Sequence, residues 1–366
     1  MLSLPQRSSL VQQTLAILRR SLVEGRWSDW LPPERELAAL LKISRPTLRQ
    51  ALLQLQREEL LSAEHGRGYR LLKAPDVKSD QGSPLVHLLS PDPVYTLRHQ
   101  TVLWIEELHD RVRAAGGDLL LHHGERFARE RPDTALAQLV ARHPHGCWVL
   151  AHSTEGIQRW FATRRIPCIV AGSPHPGTHL PFVTLDTAAV ARHAVGVLLR
   201  HGHRRIAWFG PRTSRAGDLI AEETFTSSIA ALAMKGVSGR VVHSGGAQRP
   251  AICRTVDRLM QGEWKPTALI LASAETYVTV ATHLPRLGFC VPRDISLIAR
   301  ERDSMLAHLV PEPCTYAYSA SRFGRRLSEM IDEIRTGVLA PGSEGKGTLI
   351  LCDYVAGESV AIAAKP

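Results

Sequence analysis

The sequence predicts an α/β protein built from two parts. Residues 1–73 contain short amphipathic helical stretches and a glycine-containing turn between two apolar segments. From residue 85 to residue 366, short apolar runs alternate with longer stretches of helical periodicity, which is typical of parallel strands covered by helices on both faces. Between the two parts, residues 74–84 combine Pro, Gly and Ser with charged side chains. This composition indicates a linker.

Two short helices are predicted in the first part. Two prolines precede Glu34, and proline suits a helix start because the N–H it lacks is not needed there. After a break at 42–44, Ser44 is a suitable N-cap for a second helix over Arg45–Arg57. The apolar side chains at 48, 51, 52 and 55 share one face of that helix, and arginines occupy the other. The pair is interpreted as a DNA-reading helix-turn-helix; the alternative is a three-helix domain with a solvated basic face.

Further elements surround this pair. Residues 8–24 predict an amphipathic helix packed behind it. Trp27 and Trp30 follow and are interpreted as core residues rather than as groups that stack on bases. Leu60–Ser62 and Tyr69–Leu72 are predicted to pair as short strands around the turn at 65–68, which contains two glycines. The first part is therefore predicted to be a winged helix-turn-helix.

The motifs of this region support a family resemblance. LPPERELA at 31–38, SRPTLRQAL at 44–52 and GRG at 66–68 resemble the winged helix of the GntR family of bacterial transcription regulators in order and spacing. The resemblance covers about seventy residues. It departs at Lys42, where the family usually has Gly in the interhelical turn. It implies DNA contacts from Arg35, Ser44, Arg45, Thr47, Arg49, His65, Gly66 and Arg67.

The chemistry of these side chains suits such roles. Arg45 and Arg49 lie four positions apart, so both project from one helix face, and either can make a bidentate contact to guanine. Ser44, Thr47 and the turn residues are better suited to phosphates, which position a protein on DNA without specifying sequence. We expect Arg35 to contact the DNA backbone as well.

Charge and cysteine usage agree with an intracellular DNA-binding protein. The net charge is +10, and residues 1–75 hold twelve Lys and Arg against seven Asp and Glu, a balance of +5. Half of the excess positive charge thus lies where DNA binding requires it. The six cysteines are scattered without a C-x-x-C motif, which favours reduced thiols. No signal peptide or apolar run of about 18 residues is present, so we expect a cytoplasmic protein.

The second part is predicted to contain many alternating elements. The predicted helices are 96–115, 133–142, 155–164 and 187–200. The predicted strands are Leu85–Leu89, Asp118–Leu121, Gly146–Leu150, Ile166–Ala171, Phe182–Leu185, Ile206–Phe209, Arg240–His243, Ala268–Ala272 and Ile295–Ile298. About 280 residues is long for one open sheet and fits two lobes.

A second resemblance rests on five motifs in order. They are VTLD at 183–186, GHRRIA at 202–207, PTA at 266–268, GFCVPRDIS at 288–296 and FG at 323–324. Together they resemble the effector domain of LacI-type repressors, which shares its fold with periplasmic sugar-binding proteins. The resemblance implies two Rossmann-like lobes of periplasmic-binding-protein type I, joined by crossover strands, with a small molecule in the cleft. We also expect a homodimer, because two-fold protein symmetry would match an inverted-repeat operator.

The ligand positions of that family are altered here. Ala221 stands where the family often has Arg, and Ser273 and Ala274 replace an Asn-Asp pair. Ala299-Arg300-Glu301 keeps only a carboxylate. We therefore expect an unusual carbohydrate or another small polar effector, or a cleft that responds to no ligand. The candidate lining residues are Tyr95, Glu275 and Glu301, each of which is otherwise a surface or packing residue.

Other function classes find little support. The His pairs at 143/145, 175/179 and 201/203 lie in predicted loops without nearby cysteines, so no metal is expected. The glycines near 236–246 lack a phosphate-loop pattern, and no nucleophile–base pair is recognisable. We expect no cofactor and no enzyme activity. The leading hypothesis is an allosteric repressor that binds an inverted-repeat operator; the alternative is a cytoplasmic sugar-binding module with a vestigial DNA-binding head.

Overall fold

The computed structural model describes most of the chain in two compact units, Met1–Gly82 and Ser83–Pro366. The described residues are 10–23, 27, 29–41, 43–57, 60–64, 67–72, 84–93, 96–127, 132–339 and 346–363. Apart from Pro84, the predicted linker lies outside these residues. No helix in the described ranges combines the length and apolarity needed to cross a membrane.

In its described residues, the first unit consists of three helices and a hairpin. They are α1 (Leu10–Val23), α2 (Glu34–Leu40), α3 (Arg45–Arg57), β1 (Leu61–Glu64) and β2 (Gly68–Leu71). Leu18, Leu37, Leu48 and Leu52 are buried together in the core between the helices. The predicted bounds of α3 and its apolar face are confirmed.

The ends of these elements follow from their residues. The Thr47 N–H donates to the Ser44 hydroxyl at 3.3 Å, which confirms the predicted cap of α3. In the hairpin, Leu61 pairs with Leu71 and Glu64 with Gly68. Gly68 has a φ of 101°, a conformation that side chains with a Cβ rarely adopt. The hairpin is widened by an antiparallel bridge between Trp30 and Arg70.

The second unit alternates strands and helices throughout. Its strands are β3 (Leu85–Ser90), β4 (Asp118–His123), β5 (Cys147–Ala151), β6 (Cys168–Ala171), β7 (Phe182–Leu185), β8 (Arg205–Pro211), β9 (Ser238–Ser244), β10 (Ala268–Leu271), β11 (Ser296–Ala299), β12 (Thr315–Ala317), β13 (Gly347–Ile350) and β14 (Asp353–Val355). Its α-helices are α4 (His99–Ala114), α5 (Asp133–Arg142), α6 (Glu155–Thr163), α7 (Thr187–Arg200), α8 (Ala216–Ala230), α9 (Arg249–Gln261), α10 (Ala274–His283) and α11 (Ala320–Arg335).

Two parallel sheets define two lobes. The sheet of the first lobe has the order β13-β7-β6-β5-β3-β4, and that of the second lobe has the order β11-β10-β8-β9. Every strand pair within these two sheets is parallel. The chain returns to the first lobe through α11, which packs on α4, and β13, while β12 pairs antiparallel with β14. The predicted fold class is confirmed.

Both faces of each sheet are covered, as expected for parallel strands. In β5, Val149 packs in one core and Leu150 in the core on the opposite face. In β10, Ile270 and Leu271 divide in the same way. Strand β6 begins two residues later than predicted, at Cys168 instead of Ile166. The reason is that the Ile166 N–H bonds to the Phe161 carbonyl and closes the end of α6.

Candidate DNA interface and interlobe cleft

The outer face of α3 is basic and open to solvent. The Arg45 and Arg49 side chains are 60% and 58% exposed, and both project from the same side of the helix. Ser44 and Thr47 lie at its N-terminus, where their hydroxyl oxygens are 2.7 Å apart. Because the N-terminal end of a recognition helix meets base edges and phosphates, this surface has the chemistry that DNA binding requires.

Glu34, at the start of α2, orients this face. Arg49 Nε donates to the two Glu34 carboxylate oxygens at 2.8 and 3.2 Å, and Arg45 Nη2 lies 3.9 Å away. The Tyr69 hydroxyl of the hairpin donates to the same carboxylate at 3.5 Å. Burial, and next the charge of Glu34, raise the pKa of Tyr69. Sequence reasoning missed Glu34, because periodicity places it on a helix without identifying its partners.

The remaining predicted DNA contacts are partly described. Arg35 is exposed on α2, and Arg67 is exposed in the hairpin turn. The Arg67 N–H donates to the Glu64 carbonyl at 3.0 Å, which closes this turn. His65 and Gly66 lie outside the described residues. Their roles, like those of the other predicted contacts, stay predictions.

A cavity of about 180 Å³ lies between the two lobes of the second unit. The first lobe contributes Arg98, Thr101 and Ser173 to its lining, and the second lobe contributes Arg215, Asp218 and Arg300. Small molecules bind beyond the carboxyl ends of parallel strands in α/β proteins. Several of these side chains follow such strand ends, so the cavity is the candidate ligand site of this unit.

Two ion pairs connect the lobes across the cavity. Arg98 Nη1 lies 2.7 Å from Glu301 Oε2. Asp92 Oδ2 lies 2.5 Å from Arg215 Nη2 and 2.8 Å from His152 Nδ1. Burial acts to raise the pKa of Asp92, but the His152 hydrogen bond and the Arg215 charge lower it overall. We call Arg98–Glu301 and Asp92–Arg215 the interlobe ion pairs.

A third, more buried pair lies within the second lobe. Arg300 Nη2 is 2.5 Å from Asp218 Oδ1, and the Arg300 side chain is only 8% exposed. Burial acts to raise the pKa of Asp218, but the charge of Arg300 and then that of Arg98 hold it well below its usual range. Asp218 therefore carries its negative charge at neutral pH, and this charge compensates the buried guanidinium.

Of the three predicted lining residues, one lines the cavity, one does not, and one lies outside the described residues. Glu301 lines the cavity. Glu275 is exposed in the first turn of α10 and is not among the lining residues, because its neighbours Ala274 and Thr276 take the buried positions of that turn. Tyr95 lies outside the described residues. The sequence did not identify Arg98, Arg215 and Asp218 as lining residues. In the sequence, each is only a charged residue close to the start of a helix.

The altered family positions have structural explanations. Ala221 is a fully buried residue of α8 in the core of the second lobe and is not among the lining residues of the cavity. The Ser273 hydroxyl caps α10 by accepting from the Thr276 N–H at 3.2 Å. Arg300 brings a guanidinium to the cavity from the end of β11. Within the described ranges, no group of three or more His, Cys, Asp and Glu side chains is placed to hold a metal.

Comparison with known families agrees with this division into two units. Residues 10–71 match the family model of bacterial regulatory proteins of the gntR family. Residues 195–360 match the model of the periplasmic binding protein-like domain. The first description names regulatory proteins and the second a binding-protein-like domain, in line with the expectation that the chain is not an enzyme.

Solved structures resemble the larger unit. A LacI family transcriptional regulator from Mycobacterium smegmatis has a TM-score of 0.62 at 22% identity, over 76% of this chain and 99% of its own. A LacI family regulator from Enterococcus faecium with bound ribose has a TM-score of 0.61 at 17% identity, over 76% and 100%. The lac repressor dimer bound to operator and the anti-inducer ONPF has a TM-score of 0.65 at 15% identity, over 77% and 96%.

These likenesses show the fold of the larger unit, and the family matches cover a domain in each unit. The chain joins an N-terminal GntR-family domain to a periplasmic-binding-protein-like domain with the LacI-type fold, the composition of a ligand-responsive DNA-binding transcription regulator.

Proposed function

We propose that this regulator is a repressor that binds a short inverted-repeat operator as a homodimer and is controlled by a small polar molecule in the interlobe cleft. One observation carries the proposal: a single chain combines an exposed basic face on α3 with a cavity whose lining is rich in charged side chains. Two-fold symmetry of a dimer would match the symmetry of such an operator. The operator-bound lac repressor dimer, similar in fold, supports this arrangement.

On DNA, α3 enters the major groove. Arg45 and Arg49 read base edges, since a guanidinium makes paired hydrogen bonds to guanine O6 and N7. Ser44 and Thr47 hold phosphates at the N-terminus of the helix. The other predicted contacts, on α2 and in the hairpin turn, hold the flanking backbone; they are Arg35, His65, Gly66 and Arg67.

Control comes from the two lobes. Closing the cleft brings the interlobe ion pairs together, and opening it separates them, so cleft closure is a two-state element. An effector changes operator affinity only if it binds the open and closed states with different affinity. Glu301 supports a polar effector because its carboxylate lines the cavity. The ribose-bound Enterococcus faecium regulator, similar in fold, supports a small molecule of sugar size.

The decisive experiment is selection of genomic fragments by the purified protein at about 150 mM salt, a level at which phosphate contacts alone retain little DNA. Arg45→Ala is tested beside the wild type, and Arg57→Ala is the matched control, since Arg57 is exposed at the far end of α3. We expect one inverted repeat to be enriched by the wild type and by Arg57→Ala, but not by Arg45→Ala.

Enrichment of no sequence by any of the three proteins, with or without a panel of candidate sugars, contradicts operator binding. It favours the alternative, a sugar-binding module with a vestigial DNA-binding head.

A second variant, Arg49→Ala, distinguishes a base contact from a phosphate contact. Arg49→Ala should cost about 1–3 kcal/mol on the operator and little on random DNA if Arg49 reads a base. Equal losses on both DNAs assign Arg49 to phosphate binding.

A further inference from the structure

The carboxylates around the interlobe cavity are already bound by donors of the protein. Asp218 accepts from Arg300 at 2.5 Å and from the Thr213 hydroxyl at 3.1 Å. Glu301 accepts from Arg98 at 2.7 Å and from the Ala274 N–H at 3.2 Å. Asp303, the third carboxylate of the lining, accepts from the Met305 N–H at 3.0 Å. Each of the three carboxylates in the cavity lining therefore has a protein donor before any ligand binds.

One nitrogen of the Arg300 guanidinium has no hydrogen-bond acceptor in the described part of the chain. Its Nη2 binds Asp218, but its Nη1 is buried and has no hydrogen-bond partner in the described part of the chain. The guanidinium lies 5.8 Å from the centre of the Trp208 ring, whose own Nε1 is also buried without a partner. An unpaired buried guanidinium N–H is costly, and Arg300 lines the cavity. The missing acceptor is one that a molecule in the cavity can supply.

The start of α8 adds donors at the same place. This helix has fifteen residues, and Ala216, Gly217 and Asp218 of its first turn line the cavity. Its N-cap residue, Arg215, makes no side-chain capping hydrogen bond. The Asp218 N–H already donates to the Arg215 carbonyl at 3.1 Å. The N–H groups of Ala216 and Gly217 precede it and have no acceptor within the helix, and they carry partial positive charge. Because Asp218 contacts Arg300, the guanidinium lies beside this first turn.

We propose that the cleft takes an anionic effector, whose acidic group binds between the Arg300 guanidinium and the N-terminus of α8. A carboxylate or a phosphate provides acceptors only, which is what this surplus of donors requires. A neutral sugar hydroxyl brings a donor with each acceptor, whereas the lining carboxylates already accept from protein donors. This inference rests on the proposed function, since it names the chemical class of the molecule that the cleft binds.

The test is calorimetric titration of the full chain with defined probes at constant ionic strength. Inorganic phosphate is compared with chloride, glucose 6-phosphate with glucose, and gluconate with glucose. Arg300→Lys keeps a cation beside Asp218 but removes the planar guanidinium with its several N–H donors. Arg293→Lys is the control, since Arg293 is 73% exposed and not among the lining residues of the cavity. We expect at least one anion to bind the wild type and the control, and to bind Arg300→Lys about ten-fold or more weakly.

A second variant guards against misfolding of the first. At Gly217, an added Cβ would lie 3.0 Å from the Ser173 hydroxyl oxygen, so Gly217→Ala crowds the start of α8 and should also weaken the anion. The preference between glucose 6-phosphate and gluconate tells a phosphate from a carboxylate. Equal binding of glucose and its anionic partners, or no anion bound by the wild type, overturns the inference.

The two proposals fail in different ways. Operator enrichment by a wild-type protein that binds no anion overturns the anionic effector and leaves the regulator intact. Anion binding that depends on Arg300, in a protein that enriches no operator, supports the site and contradicts the regulatory role.

Discussion

Arg49 and Glu34 are joined by a charged hydrogen bond of 2.8 Å between Nε and a carboxylate oxygen. The bond links the exposed face of α3 to the first residue of α2. The two side chains are exposed to different degrees: Glu34 is 19% and Arg49 is 58% exposed. Glu34 thereby holds Arg49, a predicted DNA contact, in one orientation before any DNA is bound, which would lower the entropy lost on binding.

Neutralising Glu34 should therefore reduce sequence discrimination more than affinity. In Glu34→Gln, we expect the ratio of operator affinity to random-DNA affinity to fall about ten-fold, or about 1.4 kcal/mol. Random-DNA affinity should stay equal or rise, because one negative charge near the phosphates is removed. Binding titrations on both DNAs measure the ratio. Glu36→Gln is the control, since Glu36 is exposed on the same helix turn; equal effects of the two variants would refute an orienting role.

Leu52 and Leu53 provide a matched test of the core of the first unit. Leu52 is fully buried, whereas its neighbour Leu53 is 51% exposed. Leu52→Ala should lower the free energy of unfolding of this unit by about 2–5 kcal/mol, and Leu53→Ala by less than about 1 kcal/mol. Hydrogen exchange of peptides from residues 10–72 measures both in the full chain. Similar losses would show that the helix packs differently.

The interlobe pair Arg98–Glu301 should contribute measurable coupling. Its side chains are 28% and 20% exposed, so solvent screens the pair only in part. Burial opposes the charge of Arg98, but Glu301 has the larger effect and raises the pKa of Arg98. A double-mutant cycle with Arg98→Gln and Glu301→Gln should give a coupling energy of about 1–2 kcal/mol in urea unfolding.

A solvent-exposed pair serves as the control for that cycle. Arg159 and Glu155 form an ion pair on α6 with 69% and 51% exposure. Their cycle should give no more than about 0.5 kcal/mol. A coupling for Arg98–Glu301 as small as this would mean that the interlobe pair does not hold the lobes together.

Acid should destabilise the second unit through two histidines. His87 Nδ1 lies 3.1 Å from His122 Nε2, and burial lowers the pKa of each ring to about 4. The folded pKa lies below the usual 6.5, so the unfolded chain binds more protons between about pH 6.5 and 4. Stability is therefore complete above pH 6.5 and falls as the pH drops through this window, by at most about 1.4 kcal/mol per pH unit and ring.

Replacing one ring should flatten this dependence. Denaturation of His122→Gln at pH 7 and pH 5 should show a smaller difference in unfolding free energy than the wild type. His123→Gln is the control, because His123 is the exposed neighbour on β4. An unchanged pH dependence in His122→Gln would show that other groups cause the acid sensitivity.

The sequence by itself determined the elements and the type of each unit. The helix pair, its Ser44 cap and the alternation of strands and helices all arise from residues close together in the chain. Hydrophobic periodicity and capping depend on neighbours within a few positions, so they can be recognised in the sequence without a structure. The motifs then identified both families, and the two family matches agree with them.

Only the tertiary structure decided which charges meet in the cleft. Arg98 lies 203 positions from Glu301, and Asp92 lies 123 positions from Arg215. Such pairs form because parallel strands align their carboxyl ends and the chain crosses between the lobes, and no local pattern records this. Arg300 illustrates the point: in the sequence it is one arginine after an apolar strand, whereas in the fold it lines a cavity and has a buried, unpaired N–H group.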